Sequence, residues 1–353
     1  MKGPLFYSKI LLFGEYGIIK DSKGLSIPYN FYNGALKIDE NKSDKTKDSN
    51  SNLKRFADYL NSLQIEQPEL VSFDIESLNA DISKGMYFDS SIPQGYGVGS
   101  SGALVAAIYD QYAQDKITVL ENLTREKLLK LKSIFGEMES FFHGKSSGLD
   151  PLNSYLSIPI LINSKDNIEP AGIPSQTENG KGAVFLLDSG STGETAPMVQ
   201  LFMENMKQEG FRKMLKDKFV KHTDACVDDF LKGDVKSLFG NIKQLSHVVL
   251  DNFKPMIPKQ FHNLWKQGID TNDYYLKLCG SGGGGFSGNG STGSFGDGGL
   301  GFTNGGTGGA GDTYSGSYVS VGGFGGGGAS GAWTGGGGGG YSGGGGGGLP
   351  SCT

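Results

Sequence analysis

Apolar and polar positions alternate between two periods along the first 279 residues, and the switch between them marks the elements. Tyr7 to Lys20 (YSKILLFGEYGIIK) is two short apolar runs parted by Gly14-Glu15, a pattern that predicts a buried strand, a tight turn and a second strand. Lys42 to Asn52 is charged and rich in Ser and Asn, which predicts a loop. Leu53, Phe56, Ala57, Leu60 and Leu63 then follow at helical spacing. Val71 to Ile75 alternates like a strand. A helix is predicted from Ser100 through Leu104, Ala107 and Ile108, and a longer one places Leu128, Leu131, Phe135, Met138, Glu139 and Phe142 on one broad face. Leu156 to Ile162 and Ala183 to Leu187 read as core strands. Met198 to about Leu250 is helical with breaks near Gly210 and Gly233, Phe261 to Gln267 is a short helix, and Tyr274 to Cys279 is a strand. Asn, Lys, Glu, Pro and Gly crowd residues 163 to 181, and this divides the body into two parts that each mix strands with helices.

Composition changes the picture at Gly280. Of 59 glycines in 353 residues, 22 precede Gly280 and 37 fall in the last 74. That final segment is a low-complexity tail, with large apolar side chains too sparse to order it by burial. Ser317 to Val321 is the one patch in it that alternates enough to add a strand beside Tyr274 to Cys279. Of the 37 Asp and Glu, only Asp297 and Asp312 lie in the tail, so the first 279 residues carry 35 acidic against 32 basic side chains. A net of −3 gives no basic patch or stripe for a nucleic-acid partner. Cys226, Cys279 and Cys352 form no CxxC pair, which argues against a disulfide framework or a zinc site and fits a reducing, cytoplasmic setting. The N-terminal apolar run is broken by Lys9 and closed by Glu15, so no secretion signal is expected. No stretch is long and apolar enough to predict a membrane span.

The strongest local signal is Pro93 to Ala103 (PQGYGVGSSGA), between a strand-like region and a helix start. Gly95, Gly97 and Gly99 lack Cβ atoms, so successive backbone N–H groups can converge, and the helix N-terminus adds free donors and partial positive charge. That arrangement cradles phosphates; a flexible loop with ordinary Ser capping is the plainer alternative. No acidic residue ends a strand about 20 residues on, so this is not a dinucleotide fingerprint. Gly144-Lys145-Ser146 mimics the end of a Walker A loop, but its first glycine would fall at Glu139. Glu139 and His143 stand four apart on the long helix and so share a face, Asp150 follows after Gly144 and Gly148, and carboxylates near a phosphate cradle suit Mg²⁺. Taken singly, Glu139 also suits a solvated helix face, His143 a helix C-terminal cap and Asp150 a turn before Pro151. Lys9, a cation within an apolar strand, either snorkels to the surface or points into a site. Gly282 to Gly285 reads as a second close-approach loop or as the start of the tail.

In order and spacing these pieces resemble the GHMP small-molecule kinases, and within them the mevalonate kinase family. Lys9-Ile-Leu-Leu-Phe-Gly-Glu15-Tyr16 is similar to the motif KxxLxGEH, and Pro93 to Ala103 to PxxxGLGSSA. Glu139-Ser-Phe-Phe-His143-Gly-Lys-Ser-Ser147-Gly-Leu-Asp150 is similar to ExxxHGxPSGxD, and Lys277-Leu-Cys-Gly-Ser-Gly-Gly-Gly-Gly285 to KxTGAGGGG. The resemblance implies an α+β, two-domain fold. Its N-terminal ATP-binding α/β domain, of ribosomal-S5-domain-2 type, would span residues 1–165, and a C-terminal ferredoxin-like domain, cut short, residues 166–286. The Gly-rich tail would span 287–353. It also implies transfer of the ATP γ-phosphoryl group to the hydroxyl of mevalonate or a related hydroxy acid, with ATP and Mg²⁺ as cofactors and a homodimer as a possible assembly. Carried across, Pro93, Gly95, Gly97, Val98, Gly99, Ser100, Ser101 and Gly102 would wrap the phosphates, and Ser101 and Glu139 would hold the metal. Asp150 would take the acceptor proton beside Lys9. Glu15, Tyr16, Ser147, Gly282 and Gly283 would meet the acceptor. The chain departs from the family's pattern in Tyr16, where His is usual, in the insertion of Gly102 before Ala103, and in Lys145-Ser146 where Asn-Pro is common.

Overall fold

A computed structural model of the chain describes residues 4–41, 43–118, 123–174, 185–187, 195–279 and 283–286. The chain divides into two compact units. One comprises the described residues up to Leu12 together with those of Leu25–Ala171, and the other comprises Phe13–Gly24 together with the described residues from Gly172 onward. The second unit is thus not contiguous: the segment after the first strand belongs with it, whereas the sequence pattern places everything before about residue 165 in one domain. The Gly-rich residues 287–353, Ser317 to Val321 included, lie outside the described residues.

In the first unit five strands form one sheet: β1 (Phe6–Phe13), β2 (Gly24–Ile38), β3 (Met86–Ser90), β4 (Ile160–Ser164) and β5 (Asn167–Pro170). The path runs β1-β2-β4-β5, with β3 also pairing antiparallel to β2 from Gly34↔Ser90 to Ile38↔Met86. The helices are α1 (Asp44–Glu66), α2 (Ile75–Ser83), α3 (Ser100–Tyr112), α4 (Arg125–His143) and α5 (Leu149–Leu156). Small apolar residues let α3 be buried nearly all round, with Ala103, Val105, Ala106, Ala107 and Ile108 at 0–1% exposure. On α4 the residues at helical spacing, Leu128, Leu131, Phe135 and Met138, are buried, and so is Glu139. That placement excludes the solvated-face reading of Glu139.

Several predicted elements are corrected. Lys42 to Asn52 does not form a loop: α1 starts at Asp44, because tertiary partners replace the missing apolar stripe. The Asp39 carboxylate accepts from the Ser43 amide and from the Thr46 hydroxyl, Ser49 Oγ accepts from the Phe88 amide, and Asn50 Nδ2 donates to the Ile82 and Met86 carbonyls. Val71 to Ile75 contributes only a single bridge, Phe73↔Ala113, before Asp74 caps α2 by accepting from the Ser77 amide at 2.9 Å. Leu156 ends α5 rather than opening a strand, and β4 begins at Ile160.

The second unit holds a three-stranded antiparallel sheet ordered β6-β8-β7, from β6 (Phe185–Leu187), β7 (Lys277–Cys279) and β8 (Gly283–Phe286). Its helices are α6 (Thr195–Asn205), α7 (Glu209–Met214), α8 (Lys221–Lys232), α9 (Val235–Asn252) and α10 (His262–Thr271), and a π-helical turn, Leu215–Val220, joins α7 to α8. Gly210 lies inside α7, so the predicted break there falls instead at 206–208. Ile18, Ile19 and Lys20 form a 3₁₀ turn instead of the predicted second strand. The cause is local: Gly14 at φ +108 and Tyr16 at φ 58 turn the backbone, and the Ile18 amide closes onto the Gly14 carbonyl. Phe202, Phe211, Phe219 and Phe253 form an aromatic core, and Trp265 donates its indole N–H to Ser246 Oγ at 2.8 Å.

Candidate active site

In the first unit the turn before α3 is held against β1 by backbone, since the Lys9 amide donates to the Val98 carbonyl at 3.0 Å. Gly95, Gly97 and Gly99 all have positive φ, at 79°, 69° and 84°. Gly99 is the N-cap of α3, and a Cβ there would come within 3.0 Å of Lys9 Cγ, so both its backbone conformation and its neighbour demand glycine. The first bond closed in α3 is Ala103 N–H to the Gly99 carbonyl. Helix geometry leaves the amides before it without an acceptor inside the helix. Pro93 is half-buried and Val98 is buried, anchoring the two ends of the turn.

Three side chains converge beside that turn. Lys9 Nζ lies 2.9 Å from Asp150 Oδ1, and Lys9 is 8% exposed against 34% for Asp150, so the carboxylate is the accessible end of the pair. Asp150 sits in the first turn of α5, which Gly148 introduces in a left-handed conformation at φ 72. Gly102 in α3 approaches the same segment so closely that a Cβ would lie 2.7 Å from the Asp150 carbonyl carbon. Glu139, 4% exposed, accepts from Ser101 Oγ at 2.9 Å on Oε1 and from Ser146 Oγ on Oε2. Burial, and then the charge of Asp150, push the Glu139 carboxyl up to about 7, against the opposite pull of the Ser146 and Ser101 hydroxyls and the Lys9 ammonium. Two serine hydroxyls therefore do not fully compensate this buried carboxylate. A hard cation would, and a hydroxyl with a carboxylate is an oxygen donor set of the kind Mg²⁺ takes. Ser147 is exposed, and its hydroxyl accepts from the Leu149 amide at 3.4 Å. The side chain of His143 lies outside the described residues.

The second unit contains the other residues taken from the motifs. Glu15 Oε1 is 2.8 Å from Lys277 Nζ in a pair whose side chains are 8% and 7% exposed. Lys277 also donates to the Leu278 carbonyl and lies 5.6 Å from the centroid of the Phe13 ring. Sequence reasoning named Lys277 only as the first residue of a glycine-rich motif and did not pair it with Glu15. The available signal was the same one that marked Lys9, a cation inside an apolar strand. Tyr16 is buried, stacked on Phe202 at a centroid distance of 5.5 Å. Gly282 lies outside the described residues. Gly283 opens β8, so the glycine run from residue 283 is a strand and not the expected loop.

Residues 55–157 match the family model described as the GHMP kinases N terminal domain, a span that contains the glycine turn, Ser101, Glu139 and Asp150. No curated protein sequence matches the chain. Among solved structures, that of L. major mevalonate kinase in complex with R-mevalonate is similar with a TM-score of 0.54 and 17% identity, over 81% of this chain and 89% of that one. A protein from Listeria innocua is similar with a TM-score of 0.53 and 14% identity, over 80% and 89% of the two chains. Streptococcus pneumoniae phosphomevalonate kinase in complex with phosphomevalonate and AMPPNP is similar with a TM-score of 0.52 and 12% identity, over 81% and 92%. The chain has a GHMP-kinase-like α/β fold.

Proposed function

We propose that this chain is an ATP-dependent small-molecule kinase that transfers the γ-phosphoryl group to the hydroxyl of mevalonate. The observation that carries the reading is the Lys9–Asp150 pair at 2.9 Å, set beside a glycine turn at the start of α3 and next to the buried Glu139. Phosphoryl transfer asks little covalent chemistry of the protein and much positioning and charge neutralisation. In this reading the backbone of Gly97 to Ser101 wraps the phosphates. Lys9 holds the Asp150 carboxylate in place, and Asp150 orients the acceptor hydroxyl and receives its proton as the new P–O bond forms. ADP leaves with the electrons of the broken β–γ bridge. Because the alcohol loses its proton late in a loose transition state, Asp150 need not be strongly basic.

Glu139 and Ser101 would hold Mg²⁺, which supplies neutralisation of phosphate charge when bound. The raised Glu139 carboxyl supports this, since a bound cation would favour its ionised form. Residues 1–165 would form the ATP-binding domain, residues 166–286 a shortened C-terminal domain, and 287–353 a Gly-rich appendage.

The test is ADP release by the purified chain with Mg²⁺ and ATP, run separately with mevalonate and phosphomevalonate. Turnover with mevalonate that an Asp150→Ala variant lacks supports the proposal. Turnover with phosphomevalonate alone reassigns the acceptor. Thermal stabilisation by ATP without turnover on either would mark a nucleotide-binding chain that is not a kinase.

A further inference from the structure

The second unit contains a cavity of about 10 Å³ whose lining includes Glu15, Tyr16, Phe219, Thr223 and Lys277. That is close to the least volume that admits one water molecule. Two lining residues each carry a buried hydroxyl, Tyr16 Oη and Thr223 Oγ1, that has no hydrogen-bond partner among the described residues. Tyr16 is 7% exposed and Thr223 is 1% exposed, so bulk solvent does not satisfy them. Buried hydroxyls are paired in folded proteins as a rule, and each exception calls for an explanation such as an ordered water.

The walls of the cavity are fixed by unusual backbone. Tyr16 is held at φ 58, ψ −37, in a region that residues with a Cβ seldom adopt. Its ring stacks on Phe202 and lies 6.2 Å from Phe253, which fixes where the hydroxyl goes. Across from it, the π-helical turn Leu215–Val220 precedes Thr223 in α8 and carries Phe219 up to Gly17, where a Cβ would lie 3.0 Å from Phe219 Cε1. The same cavity is bordered by the Glu15–Lys277 ion pair, so its lining is polar on one side. Burial, and next the charge of Glu15, raise the Tyr16 phenol well above its ordinary value, so it stays a proton donor throughout the physiological range.

We infer that this cavity is a binding site for a single ordered water, bridging Tyr16 Oη and Thr223 Oγ1 and built into the second unit. The phenol donates a hydrogen bond to the water, and the water donates one to the threonine oxygen. The bridge holds Tyr16 in its positive-φ conformation and thereby keeps Glu15, one residue earlier, facing Lys277. This assignment does not depend on which reaction the chain catalyses.

The experiment is thermal denaturation of the full chain and of Tyr16→Phe, Thr223→Val and the double variant, with a high-resolution crystal structure of the unaltered chain. Each single substitution is expected to lower Tm by roughly 2–4 °C. The double variant should lose clearly less than the sum of the two, because both hydroxyls serve one water. The electron density should show a water within hydrogen-bonding distance of both oxygens. In a dry cavity, deleting an orphan hydroxyl is neutral or stabilising, so single variants with unchanged or raised Tm would overturn the inference. Additive losses would overturn the shared water. If a variant fails to fold, the density decides, and an empty cavity there contradicts the proposal.

Discussion

Lys9 in β1 and Asp150 at the start of α5 form an ion pair of 2.9 Å within the first unit, with the ammonium buried and the carboxylate partly exposed. Removing the cation therefore frees the carboxylate without opening the core. Lys9→Met is expected to lower kcat by roughly 10²–10⁴-fold, and Asp150→Asn by a comparable factor, while ATP binding, measured by calorimetry, changes little. The double variant should be no worse than the poorer single one, because the two act as a unit.

Glu139 sets a pH dependence in the metal-free chain. Its carboxyl titrates near 7 when folded and near the ordinary 4.5 when unfolded. Below about 4.5 both states are protonated and the shift costs nothing. Between 4.5 and 7 the unfolded chain loses the proton that the folded chain keeps, so this group makes stability fall as pH rises through that window. Glu139→Gln should flatten that part of a Tm–pH profile recorded in EDTA and raise Tm at pH 8. A wild-type profile with the same slope as the variant's would contradict the assignment.

The Glu15–Lys277 pair is buried on both sides, so its halves are worth little apart. Lys277→Met removes the cation paired with a buried carboxylate and should cost about 3–5 kcal/mol in chemical denaturation. Adding Glu15→Gln to that variant should restore part of the loss. Restoration is the informative result, because a lost hydrophobic contact would not respond to the second change.

Gly148 and Gly144 make a matched comparison between conformation and space. Both have positive φ, at 72° and 75°. At Gly144 a Cβ would meet nothing within 4 Å, whereas at Gly148 it would lie 2.1 Å from the Lys132 carbonyl oxygen and 2.7 Å from the Gly136 amide. Gly144→Ala should cost about 1–3 kcal/mol, the backbone strain of φ 75°, ψ −58° alone. Gly148→Ala must move α4 away from α5 and should cost distinctly more, with lost activity because Asp150 moves too. Equal denaturation midpoints would contradict this account of the turn.

Regular periodicity and glycine placement made the first unit's centre legible. The buried face of α4 and the start of α3 follow from spacing, and the turn before α3 from three alternating glycines. The convergence of Lys9, Glu139 and Asp150 follows from no spacing, since it depends on how β1, α4 and α5 pack, and only the resemblance implied it. Lys42 to Asn52 misled because its helix is supported by side chains bonded to distant residues, Asn50 to Ile82 and Met86 among them, which leave no apolar stripe. The burial of Tyr16 was illegible for a related reason: its aromatic partners, Phe202 and Phe253, come from far along the chain.

Transfer of labelled phosphate from [γ-³²P]ATP to mevalonate by the purified chain in Mg²⁺ tests the central claim most directly. Labelled phosphomevalonate formed in proportion to enzyme, and lost with Asp150→Asn, is the predicted result. Label that stays in ATP, or an Asp150→Asn variant that transfers it at the unaltered rate, would contradict the account.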